Sequence, residues 1–249
     1  MFPDSKHELR ARCRANAKAL PRATDKRRVD VWQLFLECDA TPYPVSPSEP
    51  SDFVYDVNGN ITVIGESKSR EVAGRFEIAY LDVEQAANES ISCFDVFDSH
   101  QYTSEFYDAI VASGEVEINP RLLKLLGHDH LYVANVLILK RLELLAKFRG
   151  DAIGLLTMRG LIQRFSAGAS VVAIKPFPLQ FESGPPERDA EWVVQLSLDD
   201  FPGDARTATM RLRRYYAHLG FRKLPGTPFM FLSTAQCLVS VDELSSPGQ

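Results

Sequence analysis

The alternation of apolar and polar positions divides the chain into distinct runs. Residues 29–38, VDVWQLFLEC, alternate weakly and fit either a strand or a short helix. Two β-prone runs, FVYDV and ITVIGES, flank Asn58-Gly59-Asn60, a composition that predicts a hairpin turn. Residues 75–86, RFEIAYLDVEQA, read as a third strand. Residues 92–112 have apolar positions at mixed helical spacing and predict one helix. INPRLLKLLG, 118–127, predicts a short helix with Asn119 as N-cap, Pro120 in the first turn and Gly127 as the stop.

The second half is more strongly patterned. Residues 131–145, LYVANVLILKRLELL, are rich in Val, Leu and Ile, as in a strand buried on both faces. Apolar residues at Ile153, Leu156, Leu161, Ile162 and Phe165 predict a helix over 153–165. Residues 170–177 read as another buried strand, ended by Pro176 and Pro178. A polar insert with Pro and Gly runs to about Gly203. A helix over 207–221 closed by Gly220 and a last strand over 228–234 follow. Strand–turn–helix–strand–helix–strand is an α/β order built on a mixed sheet. A ligand is expected at the carboxyl end of the first buried strand.

Composition narrows the class. The chain has 249 residues, 45% hydrophobic and 24% charged, which suits one sizeable domain with an added arm. No apolar run of about 18 residues and no signal-type segment is seen, so no membrane partner and a cytoplasmic location are expected. Cys13, Cys38, Cys93 and Cys237 are scattered and read as free thiols. Residues 1–28 carry nine Lys/Arg against three acids. That basic arm reads as a solvated tail, and without interleaved aromatics nucleic acid is not the expected partner. TPYPVSPSEPSD, 41–52, reads as a linker. The expected organisation is an arm and linker over 1–50, a domain over 51–240 and a tail over 241–249.

The chemistry concentrates at KFRGDAIG, 147–154. Small residues at Gly150, Ala152 and Gly154 let another molecule approach the backbone where helix amides point outward, a setting for phosphate. A P-loop needs Gly-Lys-Ser/Thr here, and Asp151-Ala152-Ile153 offers none of it. A dinucleotide fingerprint needs GxGxxG and an acid after the next strand, where Lys175-Pro176 stands. The run from Arg149 to Gly154 fits R/Q-x-x-G/A-x-G/A instead.

This pattern resembles the pyrophosphate motif of the GCN5-related N-acetyltransferases (GNAT). RLRRYYAHLGF, 211–221, resembles that family's second motif, with Tyr216 four residues before Gly220-Phe221. One helix and one strand lie between the two motifs, as in the family. KPFPLQFE resembles a segment of uncharacterised bacterial GNAT-like proteins. The match covers residues 131–234, the cofactor half. The resemblance implies a GNAT-like fold with splayed central strands and acetyl-CoA as co-substrate. Its diphosphate would rest on Arg149, Gly150, Asp151, Ala152, Ile153 and Gly154. Leu142 and Leu144 would lie beside the pantetheine arm, and Thr209 would stand where the family often has Asn. Tyr216 would be the general acid, with Tyr215 read as core.

Glu143 is an acid in an apolar run and a candidate base; an ion pair with Arg141 is the alternative. His128-Asp129-His130 lacks a third ligand, and no metal is expected. Family members open with one strand and then two helices, whereas here a hairpin and a third strand precede the helices. The implied activity is acetyl transfer to a primary amine, in a monomer or homodimer. The acidic body hints at a cationic acceptor. The rival expectation is a catalytically silent domain that holds CoA or a partner.

Overall fold

The computed structural model describes residues 31–245 except 41, 43, 66–67, 113–116, 130–134, 183–189 and 202. The basic arm and His130 therefore lie outside the described residues. Seven strands form one mixed sheet: β1 Val31–Ala40, β2 Val54–Gly65, β3 Arg70–Leu81, β4 Asn135–Leu144, β5 Ala169–Ile174, β6 Arg222–Lys223 and β7 Met230–Ser233. Their order is β1-β2-β3-β4-β5-β7-β6. Only β4 and β5 run parallel; the other neighbours are antiparallel. The expected α/β class with a mixed sheet is what the chain builds.

Helices cover both faces. Five short ones, α1 Val83–Asn88, α2 Cys93–Asp98, α3 Gln101–Ser104, α4 Tyr107–Ile110 and α5 Pro120–Leu126, link β3 to β4. They bury Val83, Phe97, Phe106, Ile110 and Leu122 against Val136, Ile138, Val171 and Phe231. The other face carries α6 Ile153–Phe165, α8 Ala205–Ala217 and α9 Val241–Ser245. There Ile153, Leu155, Met158 and Leu161 of α6 pack on Leu137, Leu139, Val172 and Ile174. A short α7, Ala190–Leu196, stands in the insert after β5. Among the described residues no helix is long and apolar enough to cross a membrane.

Several elements match the sequence pattern closely. Helix α6 spans 153–165 as predicted. In α5 the Asn119 side chain accepts from Arg121 N–H, and Gly127 closes the helix at φ 78°. Other expectations need correction. Asn58-Gly59 is no turn: β2 runs straight through it, and Gly59 pairs with Cys38 on one side and Phe76 on the other. A Cβ on Gly59 would stand 2.0 Å from the Glu37 carbonyl oxygen and 2.7 Å from the Phe76 ring, so close packing selects glycine here. The sheet also begins at Val31, ahead of the Pro/Ser stretch, because β1 pairs with β2. The single helix expected over 92–112 is broken into three. Buried Thr103 donates its hydroxyl to the carbonyls of Phe97 (2.5 Å) and His100 (2.8 Å), competing with helical bonding.

One irregularity positions everything that follows. β3 pairs Ile78 with Leu139 but Glu77 with Arg141, so Lys140 is an extra residue, a β-bulge. Before it, Leu137 and Leu139 face the α6 core; after it, Leu142 and Leu144 do. The bulge shifts the alternation by one and turns Arg141 and Glu143 to the opposite face. Lys140 itself reaches Asp56 at 2.9 Å and lies over the Tyr102 ring at 3.9 Å.

Two glycines give opposite expectations. A Cβ at Gly74 would stand 2.0 Å from the Glu143 carbonyl oxygen, a backbone atom that no rotamer change moves. Gly74→Ala should lower unfolding free energy by about 3 kcal/mol. Gly160, inside α6, would place its Cβ 3.4 Å from Leu36 Cδ1, an ordinary contact. Gly160→Ala should stabilise by up to about 1 kcal/mol through helix propensity. Urea denaturation of the two variants checks both signs.

Candidate active site

The site forms where β4 and β5 part. Their pairing runs from Asn135–Ala169 to Leu139–Ile174 and stops, while β4 continues to Leu144. Pro176 and Pro178 follow β5 and cannot donate to a ladder, which limits further pairing. Residues 140–144 therefore have no β5 partner among the described residues.

At the end of β4 the chain turns through a short 3₁₀ segment, Ala146–Phe148, into the start of α6. Gly150 has φ 104°, and nothing lies within 4 Å of where its Cβ would be, so conformation rather than space demands glycine. Ala152 caps the helix at φ 58°, a left-handed conformation that costs a non-glycine residue about 1–2 kcal/mol. It has no side-chain acceptor to give. The first helical bond is Leu156 N–H to Ala152 C=O at 2.9 Å, leaving the Ile153 and Gly154 amides at the open end. Asp151 is half-buried, and Ile153 is buried with its side chain in the core.

Leu142, Leu144 and Gly154 come together. A Cβ on Gly154 would lie 3.3 Å from Leu144 Cδ1, 3.4 Å from Leu142 Cδ2 and 2.4 Å from the Tyr215 hydroxyl. Tyr215 is thus the residue the motif reading passed over. Burial, then the neighbouring Tyr216, raises its pKa, and the nearby Leu155 backbone opposes the rise. Helical spacing carries the signal: Tyr215 lies seven positions after buried Ala208 and four before buried Leu219, on the inward stripe of α8. Tyr216 packs edge-on to Tyr215 at 5.7 Å and against Phe221 at 6.5 Å. Burial pushes its pKa up to about 12, so the phenol stays protonated at neutral pH.

Arg149 and Glu143 are engaged within the protein. Arg149 donates Nε to the Leu144 carbonyl at 3.0 Å and Nη2 to the Leu196 carbonyl, and lies over the Phe201 ring at 4.5 Å. Burial lowers its pKa, countered by Asp200. It pins the insert to the end of β4. Glu143 is 4% exposed, with Oε1 accepting from Arg141 Nε at 2.6 Å and Oε2 from Trp192 Nε1 at 2.8 Å. Arg141 also grips both oxygens of Glu182 at 2.8 and 2.6 Å. Burial opposes the Arg141 charge, and the bonds to Glu182 and Glu143 outweigh it, raising its pKa. Arg75 stacks on Trp192 at 3.9 Å. The ion pair is thus the role this structure gives Glu143, with both oxygens engaged.

Thr209 lies on α8, where its hydroxyl donates to the Ala205 carbonyl at 2.7 Å. It lines a cavity of about 430 Å³ with Ala205, Arg206, Met210 and Arg213. Tyr216 is one turn beyond Arg213 on the same helical stripe. His128 shares a hydrogen bond with Ser233 Oγ at 2.7 Å. Among the described residues no group of His, Cys, Asp or Glu could hold a metal ion. No family model matches the chain, and no match is found among curated proteins or solved structures.

Glu143→Ala should cost about 3 kcal/mol in urea denaturation, because it breaks a buried pair and strands the Trp192 N–H. Glu143→Gln keeps one acceptor but sets its NH2 against the second donor, so it should also destabilise, by about 2 kcal/mol. At the start of α8, Asp204 accepts from Thr207 N–H and Thr207 Oγ1, and the backbone bond first holds its carboxyl below the usual range. A depressed folded pKa gives stability that is present above the unfolded value and lost as pH falls through the folded one. The first turn of α8 should fray as pH drops below about 4. Hydrogen exchange at Ala208 and Thr209 reports it, and Asp204→Asn should remove the pH dependence.

Proposed function

We propose that the chain is a GNAT-like N-acyltransferase that moves an acetyl group from acetyl-CoA to a primary amine. The observation that carries this reading is the coincidence of two openings: β4 and β5 stop pairing at Leu139 and Ile174, on the strand that leads into the open amides of α6. An unpaired strand backbone suits the amide-bearing pantetheine arm, and helix amides suit the diphosphate. The order strand–turn–helix–strand–helix–strand and the parallel central pair agree with the family resemblance. Three strands before the helices remain a departure from it.

The step proceeds by direct attack. A neutral amine adds to the thioester carbonyl, and a β4 amide near the bulge stabilises the oxyanion. Collapse breaks the C–S bond, the departing thiolate takes a proton from Tyr216, and solvent returns a proton to the phenolate. The amide product forms as the nitrogen loses its proton to solvent. Glu143 has both oxygens occupied and serves to hold Arg141 and Trp192, so no dedicated base is assigned. Arg149 supports the turn from behind rather than touching phosphate.

A second reading, a CoA-holding domain without turnover, draws on the three strands that precede the helices, where the family order is not followed. Thermal shift with acetyl-CoA, followed by thiol release with a panel of polyamines, lysine peptides and aminoglycosides, separates the two. Stabilisation with thiol release is expected. Stabilisation alone selects the silent domain, and no stabilisation overturns both. Tyr216→Phe should lower turnover at least about 100-fold with acetyl-CoA affinity retained. Unchanged turnover removes Tyr216 from the mechanism.

A further inference from the structure

The cavity on α8 has a chemistry that the transfer step does not use. Arg206, Thr209, Met210 and Arg213 follow at helical spacing and share one face of the helix. Among the described residues neither Arg206 nor Arg213 forms a salt bridge. Arg213 Nε is shut off from solvent with no hydrogen-bond partner. That atom is closed to a ligand as well, so Arg213 offers the pocket its remaining guanidinium donors. The nearby acid, Asp204, already accepts from the Thr207 N–H and hydroxyl. Burial, and then the Arg213 charge, lower the pKa of Lys223, so positive charge accumulates here. Thr209 spends its hydrogen on the Ala205 carbonyl, and Met210, 43% exposed, adds an apolar surface.

We propose that this pocket binds a phosphate monoester, with Arg206 and Arg213 on the phosphate and the organic part against Met210. Guanidinium forks match phosphate oxygens in pairs, and two of them suit a dianion better than a carboxylate. The pocket opens widely to solvent, so the organic part of an ester can extend beside Met210 while the phosphate meets the arginines. Identifying that ester with the 3′-phosphate of coenzyme A rests on the acyl-transfer reading; the anion site does not.

Calorimetric titration with adenosine 3′,5′-bisphosphate tests the site. Arg213→Ala should weaken binding at least tenfold and Arg206→Ala several-fold, with affinity falling as salt rises. Arg206 is exposed, so its variant keeps the test readable if Arg213→Ala fails to fold. Equal affinity in wild type and Arg206→Ala, or no binding of the bisphosphate by the wild type, overturns the proposal. CoA against dephospho-CoA then identifies the source. A tenfold preference for CoA supports its 3′-phosphate, and no preference with Arg206-dependent bisphosphate binding supports another ester. Absent acetyl-CoA binding with bisphosphate binding retained sinks the acyl-transfer reading and leaves this one standing.

Discussion

One inserted residue, Lys140, governs the geometry of this molecule. A strand alternates its side chains strictly, so a sequence that reads apolar at 137, 139, 142 and 144 cannot bury all four on one face without a bulge. The bulge keeps Leu142 and Leu144 under α6 and sends Arg141 and Glu143 to the other side. Its own ammonium is then held by Asp56 and Tyr102. Burial and then Asp56 raise the Tyr102 pKa, which keeps that phenol neutral and able to donate to the carboxylate.

The face that receives Arg141 and Glu143 is sealed by the insert. Glu182, Trp192 and Leu196 are all contributed by the chain after β5, and each bonds to a group at the end of β4 or just beyond it. Partners at buried charges decide whether such a region is stable, because each ion taken from water needs another group to meet it. The insert is therefore part of the fold rather than an ornament on it. It restrains Arg149 and Glu143, the two charged residues that the sequence offered for chemistry.

Legibility followed the range of the determining contacts. Helix α6 and the caps of α5 were readable because local spacing and local hydrogen bonds set them. Gly59 was misread because its reason is a carbonyl on β1 and a ring on β3, both remote in sequence. The broken helix over 92–112 turned on one buried hydroxyl, Thr103, which no periodicity reports. At the site, spacing placed Gly150, Ala152 and Gly154 at the mouth of α6 and offered Arg141 to Glu143, while Trp192, Leu196 and Phe201 came from the distant insert. Tyr215 and Tyr216 differ by one position; helical spacing put Tyr215 on the inward stripe of α8, and packing brought its hydroxyl to Gly154.

The parting of the two parallel strands also divides the sheet. Residues 136–139 have strand neighbours on both sides, whereas 141–144 have one only in β3 among the described residues. An edge-like row of backbone groups therefore lies in the middle of the sheet instead of at its rim, beneath α6.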